Sequence, residues 1–258
     1  MNNNKGFLDA YNIVCDLFNE GSRFYEWIKK NDNLQKGQLC LAPVWYEKKN
    51  KWYLEECNYN IEDEKNSTWY AKKFTNYVSH GLYVKKYFQL ELDENLLATH
   101  CKERPVLLIN KFESDWFCPS NSYHISKTWL CLPVFTYKER HNQNYVLEDQ
   151  KFNVNARIYL PSGCPGIDNE SAIQLHTLQS INEEYLKPLT KMCDEYDPKM
   201  KRPYKICELG MNVIISHLIK YYGSLNFITN STVDYNNIKE NYDNFVELVR
   251  ETINEALK

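Results

Sequence analysis

Arg104-Pro105-Val106-Leu107-Leu108-Ile109-Asn110, then Trp129-Leu130-Cys131-Leu132-Pro133-Val134-Phe135-Thr136, then Ala156-Arg157-Ile158-Tyr159-Leu160: these three runs decide the fold. Each is a block of β-branched, leucine and aromatic residues, too short for a helix and bounded by breakers. They predict three strands with turns between them, and short strands in close order imply a small barrel. A loop rich in Pro, Ser and Gly follows, and Ser171-Ala172-Ile173-Gln174-Leu175-His176-Thr177-Leu178-Gln179-Ser180-Ile181 is the next run of the same kind.

Working outward, the 258 residues suffice for one large domain, or for a small barrel with substantial additions. The net charge of −3 excludes a protein that grips nucleic acid by overall positive charge, so any RNA contact must come from a local patch. Nine cysteines form no C-x-x-C pair and no Cys/His spacing of a zinc site. Cys15, Cys40, Cys131 and Cys207 lie in apolar runs, which predicts reduced core thiols, and no metal or cofactor is expected. The N-terminus lacks a signal-peptide pattern and no stretch approaches 18 apolar residues, so the expected location is cytoplasmic, with no membrane contact.

On the flanks, Phe7, Ala10, Tyr11, Val14, Leu17, Phe18, Tyr25 and Ile28 recur at helical spacing and predict an amphipathic N-terminal extension over 1–36. Gln38 to Tyr46 and Lys51 to Tyr59 read as a hairpin, whose aromatic residues either fill a sheet face or offer stacking platforms to bases. Ser67 to Val78 is expected as a short helix, Leu82 to Leu92 as a strand, and Asp93 as the cap of a helix reaching His100. Beyond the strands, Asn182 to Glu195 is predicted helical, Asp197 to Pro203 is read as a link, Ile206 to Tyr222 as a buried helix and Tyr235 to Leu257 as an amphipathic one.

In order, these pieces resemble the MazF/PemK family of toxin endoribonucleases, of the Kid/CcdB superfamily. The matching residues are Gly37 to Trp45, Arg104-Pro105 with its aliphatic run, Pro133 to Thr136, Leu160-Pro161, Gly163 to Ser171, and Ser180-Ile181-Asn182 through Leu186. The resemblance covers about half of the chain. It implies an α+β fold: a small SH3-like β-barrel over 37–189, with a long insertion at 47–103 and helical additions at 1–36 and 190–258. In the family the segment between the first strand and Arg-Pro is a short loop flanking the active site, so an insertion there could gate, reshape or block it.

The implied activity is metal-independent cleavage of single-stranded RNA by a homodimer, as the toxin of a type II toxin–antitoxin system with a separate antitoxin protein as partner. Such cleavage needs a base for the 2′-hydroxyl proton, a cation for the charge on the phosphorane and an acid for the leaving 5′-oxygen. Arg104 stands at the family's catalytic arginine, and its fork of donors suits phosphate; the alternative is a strand-edge ion pair with Glu103 or Glu113. Thr136 takes the second position of a hydroxyl pair that contacts phosphate, with Phe135 in the first. His176 falls where some members carry a basic aspartate, and its pKa suits proton transfer, although a lone histidine on a strand is more often structural. Gln174 occupies the position of those members' acidic arginine, which leaves the general acid open. Two other readings stand beside this one: a binding module like the CcdB gyrase poisons, and a non-catalytic barrel whose helical additions bind a protein.

Overall fold

The protein is described by a computed structural model over residues 24–29, 33–46, 52–58, 68–73, 97–98, 100–117, 123–138, 143–163, 165–193, 197–222 and 235–256. It is an α+β chain. In order, the elements are β1 (Tyr25–Trp27), β2 (Leu39–Tyr46), β3 (Trp52–Asn58), β4 (Thr68–Lys73), β5 (Leu97–Ala98), β6 (His100–Phe117) and β7 (Tyr123–Thr136). Helix α1 (Gln143–Gln150) leads to β8 (Arg157–Leu160), β9 (Ser171–Gln174), β10 (Gln179–Asn182), β11 (Lys187–Pro188), β12 (Thr190–Cys193) and β13 (Asp197–Ile206). Helices α2 (Glu208–Tyr222) and α3 (Tyr235–Ala256) complete the described elements. The chain divides into two units, one of residues 1–42 with 103–258 and the other of 43–102.

The first unit is organised by the strands whose sequence is quoted above. Strands run in the order β11-β2-β6-β7-β9-β8, with β10 also on β7, and among the described residues no pairing closes this sheet into a barrel. β6 and β7 are antiparallel, from Val106 opposite Pro133 to Phe117 opposite Tyr123, with a register shift between Leu108 and Asn110. Leu107 and Ile109, two apart and so on one side of the strand, both enter the main core. β9 and β10 are two parts of one return along β7: Ile173 lies opposite Val134 and Gln179 opposite Cys131. Six steps on the returning chain thus match three on β7, and the surplus is taken up by a single 3₁₀ turn, Leu175–Thr177.

Strand alternation gives this sheet two faces. One carries Leu107, Leu132, Val134, Ile158, Leu160 and Ile173, which join Ile214, Leu218, Val246, Val249 and Ile253 of α2 and α3 in one buried cluster. Each fully buried aliphatic of this kind contributes about 1.5–3 kcal/mol. The other face carries Val106, Cys131 and Ala172, also buried, and runs outward to the polar groups described below. Cys40 and Cys131 are free thiols; burial pushes the Cys40 thiol up to about 12.

A second sheet, β1-β13-β12, stands where helix and linker were expected. Tyr25 and Trp27 pair with Ile206 and Tyr204, and Ile28 N–H donates to the Pro203 carbonyl at 2.9 Å. The part of the N-terminal extension at Tyr25–Trp27 is therefore strand, because its apolar residues serve a neighbouring strand rather than a helix face; 1–23 lie outside the described residues. Asp197 to Pro203, expected as a link, is spanned by β13, which pairs with β1 on one side and β12 on the other despite its two prolines. The helix expected over Asn182 to Glu195 is β10, a 3₁₀ turn, β11 and β12 instead. The two C-terminal helices are present, α3 matching its expected span closely.

The 43–102 unit contains the three-stranded sheet β4-β3-β5. β3 runs antiparallel to β4, Trp52 opposite Lys73 and Asn58 opposite Thr68, and to β5, Tyr53 opposite Leu97. The expected hairpin of the β2 and β3 segments is thus replaced by β3–β4 pairing, and the helix expected from Ser67 is strand at Thr68–Lys73. Leu97–Ala98 is likewise strand rather than the helix expected to reach His100, and the strand expected at Leu82 to Leu92 lies outside the described residues. Trp45 is 46% exposed, and Lys102 Nζ sits 5.8 Å from the centre of the Tyr46 ring.

Candidate functional site

β6 enters the larger unit at Glu103, and the next residue, Arg104, lies over a neighbour on β7: its guanidinium carbon is 4.7 Å from the centre of the Phe135 ring. Arg104 Nε is buried without a hydrogen-bond partner. Among the described residues no carboxylate pairs with it. Glu103, the acid expected to compete for it, is held by Lys187 at 3.2 Å; the Glu113 side chain lies outside the described residues. An unneutralised guanidinium stacked on an aromatic ring is a ready phosphate donor.

Thr136 is exposed at the end of β7, opposite Ser171, whose Oγ donates to the Asn169 carbonyl at 2.9 Å and lies 3.4 Å from Thr136 Oγ1. Alternation sets Thr136 on the same side as Val134, the main-core side, and Arg104 with Phe135 on the other. Arg104 and Thr136 are close in the fold, but they sit on opposite faces of the sheet.

His176 is exposed in the 3₁₀ turn, not on a strand. The turn is fixed on both sides: Leu175 N–H donates to the Ala156 carbonyl at 3.0 Å, and the Tyr222 hydroxyl at the end of α2 donates to the Leu175 carbonyl at 2.5 Å. Gln174 ends β9 opposite Arg157.

The face that carries Arg104 holds a network that sequence reading missed. Ala172 lies between Phe135 on β7 and Tyr159 on β8, so Arg104, Phe135, Ala172 and Tyr159 form one row. Tyr137 stacks on Tyr159 at 6.3 Å and 23°, and its backbone N–H donates to the Glu170 carbonyl at 3.1 Å. The Tyr159 hydroxyl donates to Glu170 Oε1 at 2.5 Å. Burial pushes the Glu170 carboxyl above its usual range, and the Tyr159 hydrogen bond partly opposes this.

Behind this row lies a caged cation. Arg157 Nε donates to both oxygens of the fully buried Asp149 at 3.0 and 2.9 Å, and its guanidinium carbon is 4.1 Å from the centre of the Tyr145 ring. Tyr137 donates to the same carboxylate at 2.7 Å. Burial first, then the charge and hydrogen bond of Asp149, push the Tyr137 hydroxyl far up, so it stays neutral. These bonds tie α1 to β8.

The loop that delivers Glu170 is also fixed. Tyr25 OH donates to the Pro161 carbonyl at 2.8 Å, and Lys191 bridges the Gly163 carbonyl at 3.0 Å and Asp168 at 2.8 Å. Gly166 is required there: its φ is +142°, and a Cβ would meet the Tyr25 ring at 2.4 Å. Among the described residues no group of three or more His, Cys, Asp or Glu is arranged to hold a metal, and no helix is long and apolar enough to cross a membrane. Compared with protein-family models, with curated proteins and with solved structures, the chain matches none.

Proposed function

We propose that the chain is a toxin-like endoribonuclease that cuts single-stranded RNA without a metal ion, its phosphate held at Arg104. The observation that carries this reading is the unpaired guanidinium of Arg104 on the Phe135 ring, with its buried Nε unpartnered. A buried, uncompensated donor costs about 1–3 kcal/mol, and an anionic ligand would recover that cost. Under this reading the 2′-hydroxyl attacks phosphorus, Arg104 stabilises the phosphorane charge, and His176, in its fixed exposed turn, takes the 2′-hydroxyl proton. The Thr136 hydroxyl serves only a phosphate that reaches round the end of β7. The reading also takes in the finer fold, an SH3-like barrel of the MazF/PemK kind in which β2, β6, β7 and the β9–β10 return supply the strands. It includes a cytoplasmic homodimer and an antitoxin partner.

The test is to incubate the purified protein with mixed-sequence RNA in EDTA and analyse the ends. Products with 2′,3′-cyclic phosphate and 5′-hydroxyl termini are expected. Intact RNA, or 5′-phosphate termini, would count against the proposal.

A second reading, a non-catalytic module that binds a protein, is favoured by one feature. A cleft of about 450 Å³ between α2 and α3 is lined by Leu209, Val213, Ile215, Tyr242 and Phe245, and Leu209 is 40% exposed. Substitution at this cleft leaves RNA cleavage intact if the first reading holds.

A further inference from the structure

We propose that Glu170 is the general acid of the Arg104 site, protonating the 5′-oxygen as it leaves. This rests on the reading of Arg104 as the phosphate site and fills the one role that the sequence left without a residue.

Placement carries the inference. Arg104, Phe135, Ala172 and Tyr159 lie in one row of one sheet face, and Tyr137 and Glu170 lie in the next row of the same face, about 7 Å farther along the strands. The guanidinium leans over Phe135 of β7, and Glu170 stands just ahead of β9, the strand on the far side of β7, about 5 Å beyond it. The proposal places the RNA phosphate between the two, with one ester oxygen toward the Glu170 carboxyl. Glu170 is half-buried, and among the described residues no cation pairs with it. Its one side-chain partner is the neutral hydroxyl of Tyr159, at 2.5 Å. A carboxyl placed so is held toward its protonated form, the form an acid must start in.

The charged and titratable groups around Glu170 have other engagements. On β8, Tyr159 binds it directly and Arg157 is committed to Asp149 of α1. Tyr137, just past β7, is also bonded to Asp149, and Arg104 of β6 is the cation to which the substrate would bind. Glu170, whose carboxyl burial holds above its usual range, is thus the carboxyl of this face that stands outside the cage among the described residues.

The step balances. The 2′-oxygen–phosphorus bond forms as its proton passes to His176, the phosphorus–5′-oxygen bond breaks, and the Glu170 proton goes to the departing oxygen. Water restores both groups after release of the cyclic phosphate and the 5′-hydroxyl strand.

The experiment compares wild type, Glu170→Gln and Tyr159→Phe in two assays: cleavage of an RNA oligonucleotide across pH, and binding of the same oligonucleotide with 2′-deoxy at the scissile position. Glu170→Gln still accepts the Tyr159 hydrogen bond, so it should bind normally and cleave about 10²–10⁴-fold more slowly. It should also lose the alkaline limb that deprotonation of the acid imposes on wild type. Tyr159→Phe removes the bond that favours the carboxylate and should move that limb to higher pH. Wild-type cleavage retained in Glu170→Gln with an unchanged pH profile overturns this inference alone. A wild type that binds the oligonucleotide but cleaves nothing overturns the nuclease reading, and this inference with it.

Discussion

The two faces of the larger sheet are built from the same strands, yet one is closed chemistry and the other is not. Packed against the face under α2 and α3, the His217 side chain of α2 is a buried polar group, and it is satisfied. Its Nε2 donates to the Asn155 carbonyl at 2.9 Å, and Nδ1 accepts from the Tyr242 hydroxyl. On the opposite face two arginines contrast. Arg157 is neutralised by Asp149 and stacked on Tyr145; Arg104 is stacked on Phe135 and, among the described residues, meets no carboxylate. Both use an aromatic ring, so the ring alone does not mark a working cation. The difference between the two arginines is the counter-charge, which Arg157 has and which Arg104 lacks among the described residues.

The largest effect expected is on the caged side. Asp149→Ala removes the fully buried carboxylate that holds the half-buried Arg157 and accepts from Tyr137, and should cost about 3 kcal/mol of stability, the low end for breaking a buried pair, read as a lower urea midpoint. A loss under 1 kcal/mol would mean that the cage contributes little and that the contrast between the two arginines is only one of geometry.

Next comes the open side. Arg104→Ala should reduce RNA cleavage about 10²–10³-fold, the range for removing a donor aimed at developing charge. Stability should fall by no more than about 1 kcal/mol, since no ion pair is broken. Normal cleavage by this variant would remove the site, whereas a loss of several kcal/mol in stability would place Arg104 with Arg157 among the structural cations.

The closed face has its own test in acid. Burial, with Lys220 nearby, holds the His217 imidazole down at about 4, below its ordinary 6.5. A depressed folded value means that the unfolded chain takes up the proton first. The contribution is therefore complete above pH 6.5 and is lost as pH falls toward 4, in all about 3 kcal/mol. His217→Gln keeps one acceptor and one donor without a titrating group, so the gap between its urea midpoints at pH 7 and pH 4.5 should be smaller than that of wild type. An equal gap would assign the acid sensitivity elsewhere.

The sequence showed the strands of this contrast but not its faces. The aliphatic runs after Arg104 and Trp129 were readable because their apolar content and breakers are local signals. The register was not: which residues of 171–174 face Phe135 depends on a three-residue surplus taken up in a 3₁₀ turn, and that turn also moves His176 off the strand. Glu170 and Tyr159 looked like ordinary loop and strand residues until the β7–β9–β8 pairing put them in adjacent rows of the face that carries Arg104. The flanks misread for a related reason. Tyr25 and Ile28 fit a helical period by count alone, and prolines in β13 hid a strand whose neighbours come from distant parts of the chain.

The smallest effect separates what the two rings do. Tyr145→Leu on the caged side should cost about 0.5–1 kcal/mol of stability, the scale of a cation–π contact, because Asp149 still holds Arg157 in place. Phe135→Leu on the open side removes a comparable contact from a guanidinium that has no ion-pair partner among the described residues, so the loss should appear in function. The freed side chain would have to be immobilised again by the substrate, and such ordering costs about 0.5–1.5 kcal/mol per side chain. RNA binding should therefore weaken a few-fold while the pH profile of cleavage stays the same, since neither the acid nor the base has changed. Titration of the 2′-deoxy oligonucleotide against both variants reads this directly. If Phe135→Leu binds as wild type does and instead loses stability to the extent that Tyr145→Leu does, then the Phe135 ring is packing and Arg104 holds its place without it.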